Sequence, residues 1–164
     1  MLDRIRLLHI EDNADYRELM ETTIRIDPGL QFDYRSAATL AEGLAALKQR
    51  VFDVVLLDWM LPDSTGVDSI AAIRSIDPNV AIIVFTGHDS DAIVAAAKTA
   101  GADGFLLKGL SNIKTILTTL HFAACKRQRR DDRVIAALEA MLEGLESATD
   151  SVERMASSGE SDGD

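Results

Sequence analysis

The sequence predicts an α/β fold: a doubly wound, five-stranded parallel sheet of (βα)5 order, followed by an extended C-terminal helix. Three observations carry this. Over the first 120 residues, short apolar runs alternate with longer amphipathic stretches at helical spacing, the texture of βαβ units. The central apolar runs lack a polar face, as strands covered on both sides require. After residue 120 the alternation stops, and one heptad-like pattern continues nearly to the end of the chain.

Strands are expected at 5–10, 53–57, 80–85 and 104–107, with a weaker one at 31–35. Helices are expected at 16–26, 40–49, 67–76 and 92–100, with a fifth starting near Ser111. Thr39-Leu40-Ala41-Glu42 has the form of a capping box opening the second helix. Asp27-Pro28-Gly29 and Asp77-Pro78-Asn79 stop the first and third helices, because proline cannot continue them. Gly101 stands where a left-handed C-cap would close the fourth.

In the last helix Ile113, Leu117, Leu120 and Ala124 fall on a 4,3,4 spacing. Arg127 and Asp131 interrupt it, and Val134, Leu138, Met141, Leu145, Ala148, Val152 and Met155 resume the register. The first third should pack on the sheet. The rest should extend past the domain with an apolar stripe for dimerisation or partner binding, although folding back as a single helix is the alternative. Three regions follow: a domain at 1–120, an extended heptad helix at 121–156, and a disordered acidic tail at 157–164.

Composition narrows the function. The net charge is −10, unsuited to sequence-independent DNA contacts, which need clustered Lys and Arg. The single cysteine, Cys125, excludes an internal disulfide and a zinc-type cysteine cluster. With a charged N-terminus and no apolar run of membrane-spanning length, a cytoplasmic location is expected. No P-loop or Gly-x-Gly-x-x-Gly fingerprint is present.

In an open parallel sheet, functional groups gather at the carboxyl ends of the strands. The first expected strand ends at Glu11-Asp12, the third at Asp58, the fourth at Thr86 and the fifth at Lys108. Converging carboxylates raise each other's pKa, and a hard divalent cation such as Mg²⁺ relieves the repulsion. Asp58 could then act as a nucleophile toward phosphorus. Lys108 and the metal would stabilise the transferring group, and Thr86 could donate to one of its oxygens.

Around Asp58 the chain reads Asp58-Trp59-Met60-Leu61-Pro62-Asp63-Ser64-Thr65-Gly66. With Glu11-Asp12-Asn13, Val84-Phe85-Thr86-Gly87 and Phe105-Leu106-Leu107-Lys108, this constellation resembles the response-regulator receiver family over roughly residues 4–120. The resemblance implies a flavodoxin-like fold and a two-component phosphorelay protein that accepts phosphoryl from a histidine kinase on Asp58. It implies Mg²⁺ on Asp12, Asp58 and the Met60 backbone carbonyl, with Glu11 acting through water or by positioning. It also implies a switch pair, Thr86 and Phe105. Gly109 follows Lys108 where the family usually has proline, so a cis bond and a tight loop are not expected there.

Single residues have plainer explanations. Asp58 could sit in an ordinary turn, Glu11-Asp12 could cap a helix, and Thr86 or Lys108 alone could be structural; their joint arrangement carries the inference. His9 is expected to pack within the first strand, and His121 within the last helix rather than to transfer phosphoryl. His88 lies on the site rim or is merely exposed, Trp59 is a rim residue, and the basic run 126–130 is a solvated face. Two rival functions are a receiver-shaped scaffold that ignores phosphorylation and a haloacid-dehalogenase-like phosphohydrolase. The second needs an acid where this chain has Met60. No DNA-binding module is expected in the segment after the receiver; output should run through protein contact or onward relay.

Overall fold

The computed structural model describes residues 4–158, with side chains described as far as Arg154. The elements run β1 (Ile5–Ile10), α1 (Ala14–Thr23), β2 (Phe32–Ala37), α2 (Leu40–Gln49), β3 (Val54–Leu57), α3 (Gly66–Ile76), β4 (Ala81–Thr86), α4 (Asp91–Ala100), β5 (Gly104–Leu107) and α5 (Ile113–Ser158). All strands pair in parallel in the order β2-β1-β3-β4-β5.

The period-2 alternation of the strands divides the core in two. Leu7, Val54, Leu56, Ile83, Phe85 and Leu106 face α1 and α5, where Met20, Ile116, Leu117 and Leu120 meet them. Leu8, Ile10, Val55, Leu57, Ile82 and Val84 face α2, α3 and α4, where Leu47, Ile70, Ile73 and Ala97 meet them. β3 and β4 are buried at every position, which is why their sequence shows no polar face. Each fully buried Val, Leu, Ile or Phe among them contributes about 1.5–3 kcal/mol.

Local chemistry shifts several expected boundaries. α1 begins at Ala14 because the Asn13 side chain accepts from the Asp15 amide at 2.9 Å and the Tyr16 amide at 3.4 Å. It ends at Thr23, where bonds from the Arg25 amide to Thr22 and the Ile26 amide to Thr23 tighten the exit. β2 reaches Ala37, farther than its half-exposed, weakly apolar sequence suggested. The capping box forms with one change. Thr39 accepts from the Glu42 amide at 3.2 Å, while the Glu42 carboxylate reaches back one residue further, to the Ala38 amide at 2.8 Å.

The chain divides into two compact units, the first ending at Gln128 and the second beginning at Arg129. Within the first, Arg127 corrects the expectation of a solvated basic face. It is 6% exposed. Its guanidinium donates to the Phe52 carbonyl at 2.5 Å and to Asp77 at 2.8 Å. Burial alone would raise the Asp77 pKa, but Arg127 and the amides of Asn79 and Val80 outweigh it and hold the carboxyl below its usual range. The heptad "break" at Arg127 is thus a packed position where a cation replaces an apolar side chain. Ile113 departs the other way, being largely exposed.

In the second unit α5 continues to Ser158, with Val134, Leu138, Met141, Leu145 and Val152 exposed. Ser157 and Ser158, expected in a disordered tail, close the helix. The Met155 side chain and residues 159–164 lie outside the described residues.

Candidate functional site

Strand register brings the polar residues together. β1 pairs with β3 through Ile10↔Leu57, so Glu11-Asp12 and Asp58 leave the sheet side by side. β4 pairs with β5 through Thr86↔Leu107, and the Lys108 amide donates to the Thr86 carbonyl at 2.8 Å. The apolar strands therefore fix where the charges emerge.

Lys108 joins two of the acids. Its Nζ lies 2.5 Å from Glu11 Oε2 and 3.1 Å from Asp58 Oδ2. Glu11 is fully buried and Asp58 is 7% exposed. Burial pushes the Glu11 pKa up, and the Asp58 charge adds to this against the opposing pull of Lys108. For Lys108 burial works downward, but its bonds to Glu11 and Asp58 outweigh it and hold the ammonium above its usual value. Both effects are those of a desolvated ion pair.

Asp12 points to solvent. Carboxylate oxygens of Glu11, Asp12 and Asp58 all lie within 4.8 Å of one another. Three carboxylates against one ammonium leave a formal excess of about two negative charges, which oxygen ligands offer to a hard divalent cation. The donor set therefore fits Mg²⁺, with the exposed Asp12 side open to approach. Glu11 is the least available ligand, because Lys108 already occupies it.

The remaining expected residues fall as follows. Thr86 is 1% exposed, and its hydroxyl accepts from the His88 amide at 3.2 Å. The Met60 side chain is exposed, and its backbone bridges Thr65. Phe105 is half-buried against the core face of α2, α3 and α4. Trp59 is half-buried, and His88 is exposed. His9 packs inside β1 as expected, with Nδ1 3.0 Å from the Tyr34 hydroxyl. His121 lies within α5, its Nε2 3.7 Å from Cys125 Sγ.

Gly109 takes a left-handed φ of +80°, and no peptide among the described residues is cis. The turn is tied rather than loose. The Ser111 amide donates to the Leu107 carbonyl at 3.0 Å, and the Ser111 hydroxyl accepts from the Leu107 amide at 3.2 Å.

Four contributors escaped sequence reasoning. Lys108 Nζ sits 4.5 Å from the Tyr16 ring centre and 5.7 Å from that of Phe85, so aromatic faces line the path of the ammonium. Arg17 donates to the carbonyls of Glu11 at 2.7 Å and Asp12 at 2.8 Å, fixing the acidic turn. Asp63 accepts from the Leu40 and Ala41 amides, both at 2.9 Å, and so ties the loop after Asp58 to the start of α2. An acid at the N-terminus of α1 or α2 is a legible signal; a loop acid reaching there from 22 or 23 residues away is not.

A sequence model of the response regulator receiver domain matches residues 7–121. The chain belongs to this family. As a receiver domain it is homologous to response regulators of two-component systems. It is 31% identical over 120 residues to the response regulator protein PilR of Pseudomonas aeruginosa, a match covering 72% of this chain and 26% of PilR. The chain thus matches about a quarter of that relative's length.

Solved receivers share the fold. The chemotaxis protein CheY4 of Vibrio cholerae superposes with a TM-score of 0.65 at 29% identity, covering 73% of this chain and 98% of that one. A CheY-like receiver domain protein from Methanospirillum hungatei gives 0.70 at 23% identity, covering 78% and 99%. The five-stranded parallel receiver fold expected from the sequence is therefore the observed one.

Proposed function

We propose that this receiver accepts a phosphoryl group on Asp58 from a sensor histidine kinase, with Mg²⁺ at the Glu11, Asp12 and Asp58 cluster. The observation that carries the reading is Lys108 Nζ at 3.1 Å from an Asp58 oxygen, beside two further carboxylates. In the transfer an Asp58 oxygen forms the new P–O bond as the donor's P–N bond breaks. The leaving imidazole keeps the electron pair and takes up a proton. Lys108 stabilises charge on the phosphoryl oxygens. Thr86 accepts from His88 in the resting site, so its own hydroxyl proton serves to donate to an arriving phosphoryl oxygen. Mg²⁺ held by Asp12, Asp58 and the Met60 carbonyl, with Glu11 acting through water or by positioning, would neutralise the phosphoryl charge. Phe105, half-buried, is the partner of Thr86 in switching.

On this reading the protein is a signalling switch that catalyses only its own phosphorylation and dephosphorylation. Met60 stands where a haloacid-dehalogenase-like hydrolase needs its second acid. Output runs through protein contact, with residues 121–156 as the docking helix, rather than through DNA. The net charge of −10 supports this. A cytoplasmic site of action belongs to the same proposal. Among the described residues no helix is long and apolar enough to cross a membrane.

The test is intact mass after incubation with acetyl phosphate, in Mg²⁺ or EDTA, for the wild type and Asp58→Asn. One phosphoryl adduct, dependent on Mg²⁺ and absent in the variant, is expected. If no adduct forms from acetyl phosphate or from a phosphorylated kinase, and Mg²⁺ leaves Trp59 fluorescence unchanged, the scaffold reading replaces this one.

A further inference from the structure

We infer that Tyr16 is a positioning residue for phosphoryl transfer: its ring face holds the Lys108 ammonium in place against Asp58. This role rests on the proposed reading of Asp58 as the acceptor and adds a residue to it.

The lysine has far to reach. Lys108 follows the end of β5, Asp58 follows β3, and β4 lies between them. Two strand spacings make roughly 10 Å. A flexible four-carbon stem crossing that gap has many other poses open to it. It crosses beside Phe85, which stands on β4 and faces α1 and α5. The ammonium ends 5.7 Å from the Phe85 ring centre and 4.5 Å over that of Tyr16. Both lie inside the ~6 Å range at which a ring face attracts a cation.

Donor counting gives the ring its place. An ammonium has three N–H donors. Glu11 Oε2 at 2.5 Å and Asp58 Oδ2 at 3.1 Å account for two. The Lys108 side chain is 8% exposed, so water is a poor partner for the third, and the Tyr16 face is within range of it.

The ring is itself fixed. It stands edge-on to Phe85, with centroids 6.3 Å apart and planes at 87°. Its backbone lies in the first turn of α1, where the Asn13 side chain accepts from the Asp15 and Tyr16 amides. The Asn13 amide in turn donates to Glu11 Oε1 at 3.1 Å. One turn of chain thus sets both Glu11 and the ring against Lys108.

A ring also holds the ammonium differently from an acid. When Asp12 and Asp58 share a divalent cation, their pull on the ammonium weakens. The neutral ring keeps its attraction. Tyr16 therefore counts most in the metal-loaded site, where the ammonium must stay turned toward the arriving phosphoryl oxygens.

The plainer role is packing, because Tyr16 is half-buried against the core. The test separates the two in the full chain. Tyr16→Phe and Tyr16→Leu are compared, and Tyr16 is also replaced by mono-, di- and trifluorophenylalanine, which keep the ring's shape while draining its face of negative charge. The rate of adduct formation from acetyl phosphate or a phosphorylated kinase is read by intact mass at saturating Mg²⁺. Mg²⁺ affinity is read from Trp59 fluorescence. Tyr16→Phe should stay within about twofold of wild type, and Tyr16→Leu should slow transfer by about 3–10-fold. The fluorinated series should fall stepwise between them, with Mg²⁺ affinity within about twofold throughout. A wild-type rate in Tyr16→Leu, or a flat fluorinated series, would leave Tyr16 a packing residue and overturn the inference while the Asp58 reading stands. A loss in Tyr16→Phe equal to that in Tyr16→Leu would move the role to the hydroxyl, and a parallel loss of Mg²⁺ affinity would trace it to the acidic turn; either overturns it. A wild type that takes no phosphoryl group from either donor defeats the Asp58 reading itself, and this role with it.

Discussion

Lowering the pH from about 7.5 to about 5 should destabilise this protein by about 2 kcal/mol through His9 alone. The ring is fully buried. The Tyr34 hydroxyl donates to the Arg17 carbonyl at 3.1 Å, so His9 Nδ1–H donates to the Tyr34 oxygen, and Nε2 is left as an acceptor with no partner among the described residues. Protonation would place an N–H with no acceptor in the core. Burial first, then the charges of Lys108 and Arg17, lower the His9 pKa from 6.5 to about 3. Between those values the unfolded chain binds the proton and the fold does not, so stability rises with pH across this window and is lost as pH falls below the unfolded value. With these two pKa values the loss is about 2 kcal/mol at pH 5 and about 3 kcal/mol at pH 4. Urea unfolding of wild type and His9→Phe at several pH values gives the assay. Subtracting the two curves removes the carboxylates common to both. The difference should fall in the wild type's disfavour by the stated amount; a difference that is flat from about pH 7.5 to 5 refutes the linkage.

Further outcomes follow from the same contacts. Arg127→Ala should cost about 3–5 kcal/mol in denaturant unfolding, because it strands the Asp77 carboxylate and the Phe52 carbonyl. The double variant Arg127→Met with Asp77→Asn should recover part of that loss. Lys108→Met leaves Glu11 buried without its cation. Its carboxyl pKa, already raised, should rise further, so this variant should gain stability relative to wild type as pH falls toward the carboxyl range, measured by paired urea melts. Gly66→Ala should cost roughly 1–3 kcal/mol and shift Trp59 emission. Gly66 has φ +52°, and an added Cβ would lie 2.6 Å from Trp59 Cζ2.

The fold was legible because its signal is burial. β3 and β4 have no exposed residue, so an uninterrupted apolar run could mean little else. The clustering of Glu11, Asp12, Asp58, Thr86 and Lys108 was legible for a related reason: once the strands are placed, the residues at and just past their ends follow. What stayed hidden depends on reach rather than position. Tyr16 matters because Lys108 extends over its ring. Arg127 was misread because charge normally marks a solvated face, whereas its partners, Phe52 and Asp77, are 75 and 50 residues away. The Glu42 reach to Ala38 instead of Thr39 is a one-residue choice that a sequence pattern does not resolve. The length of the tail was judged from composition, which does not sense that a helix already under way gains a hydrogen bond with each added residue.

The segment after Asp58 separates two reasons for a motif. On the proposed reading none of Trp59, Pro62, Asp63 and Gly66 need touch a transferring group, yet the motif around Asp58 is built from them. Asp63 holds the two first amides of α2. Gly66 leaves room for the Trp59 ring that a side chain would fill, and adopts a φ that L-residues avoid. The Gly66 amide then bonds the Trp59 carbonyl at 2.8 Å, and the Leu61 amide bonds the Ser64 carbonyl at 3.0 Å, closing the loop on itself. A carboxylate at the end of a buried strand, with its following loop fastened at both sides, keeps its backbone beside Lys108 despite the local negative charge. The spacing that makes the site recognisable in sequence is therefore the spacing of its scaffold. On the proposed reading the chemistry rests on the acids and the lysine, and the loop holds the backbone that presents Asp58 to Lys108.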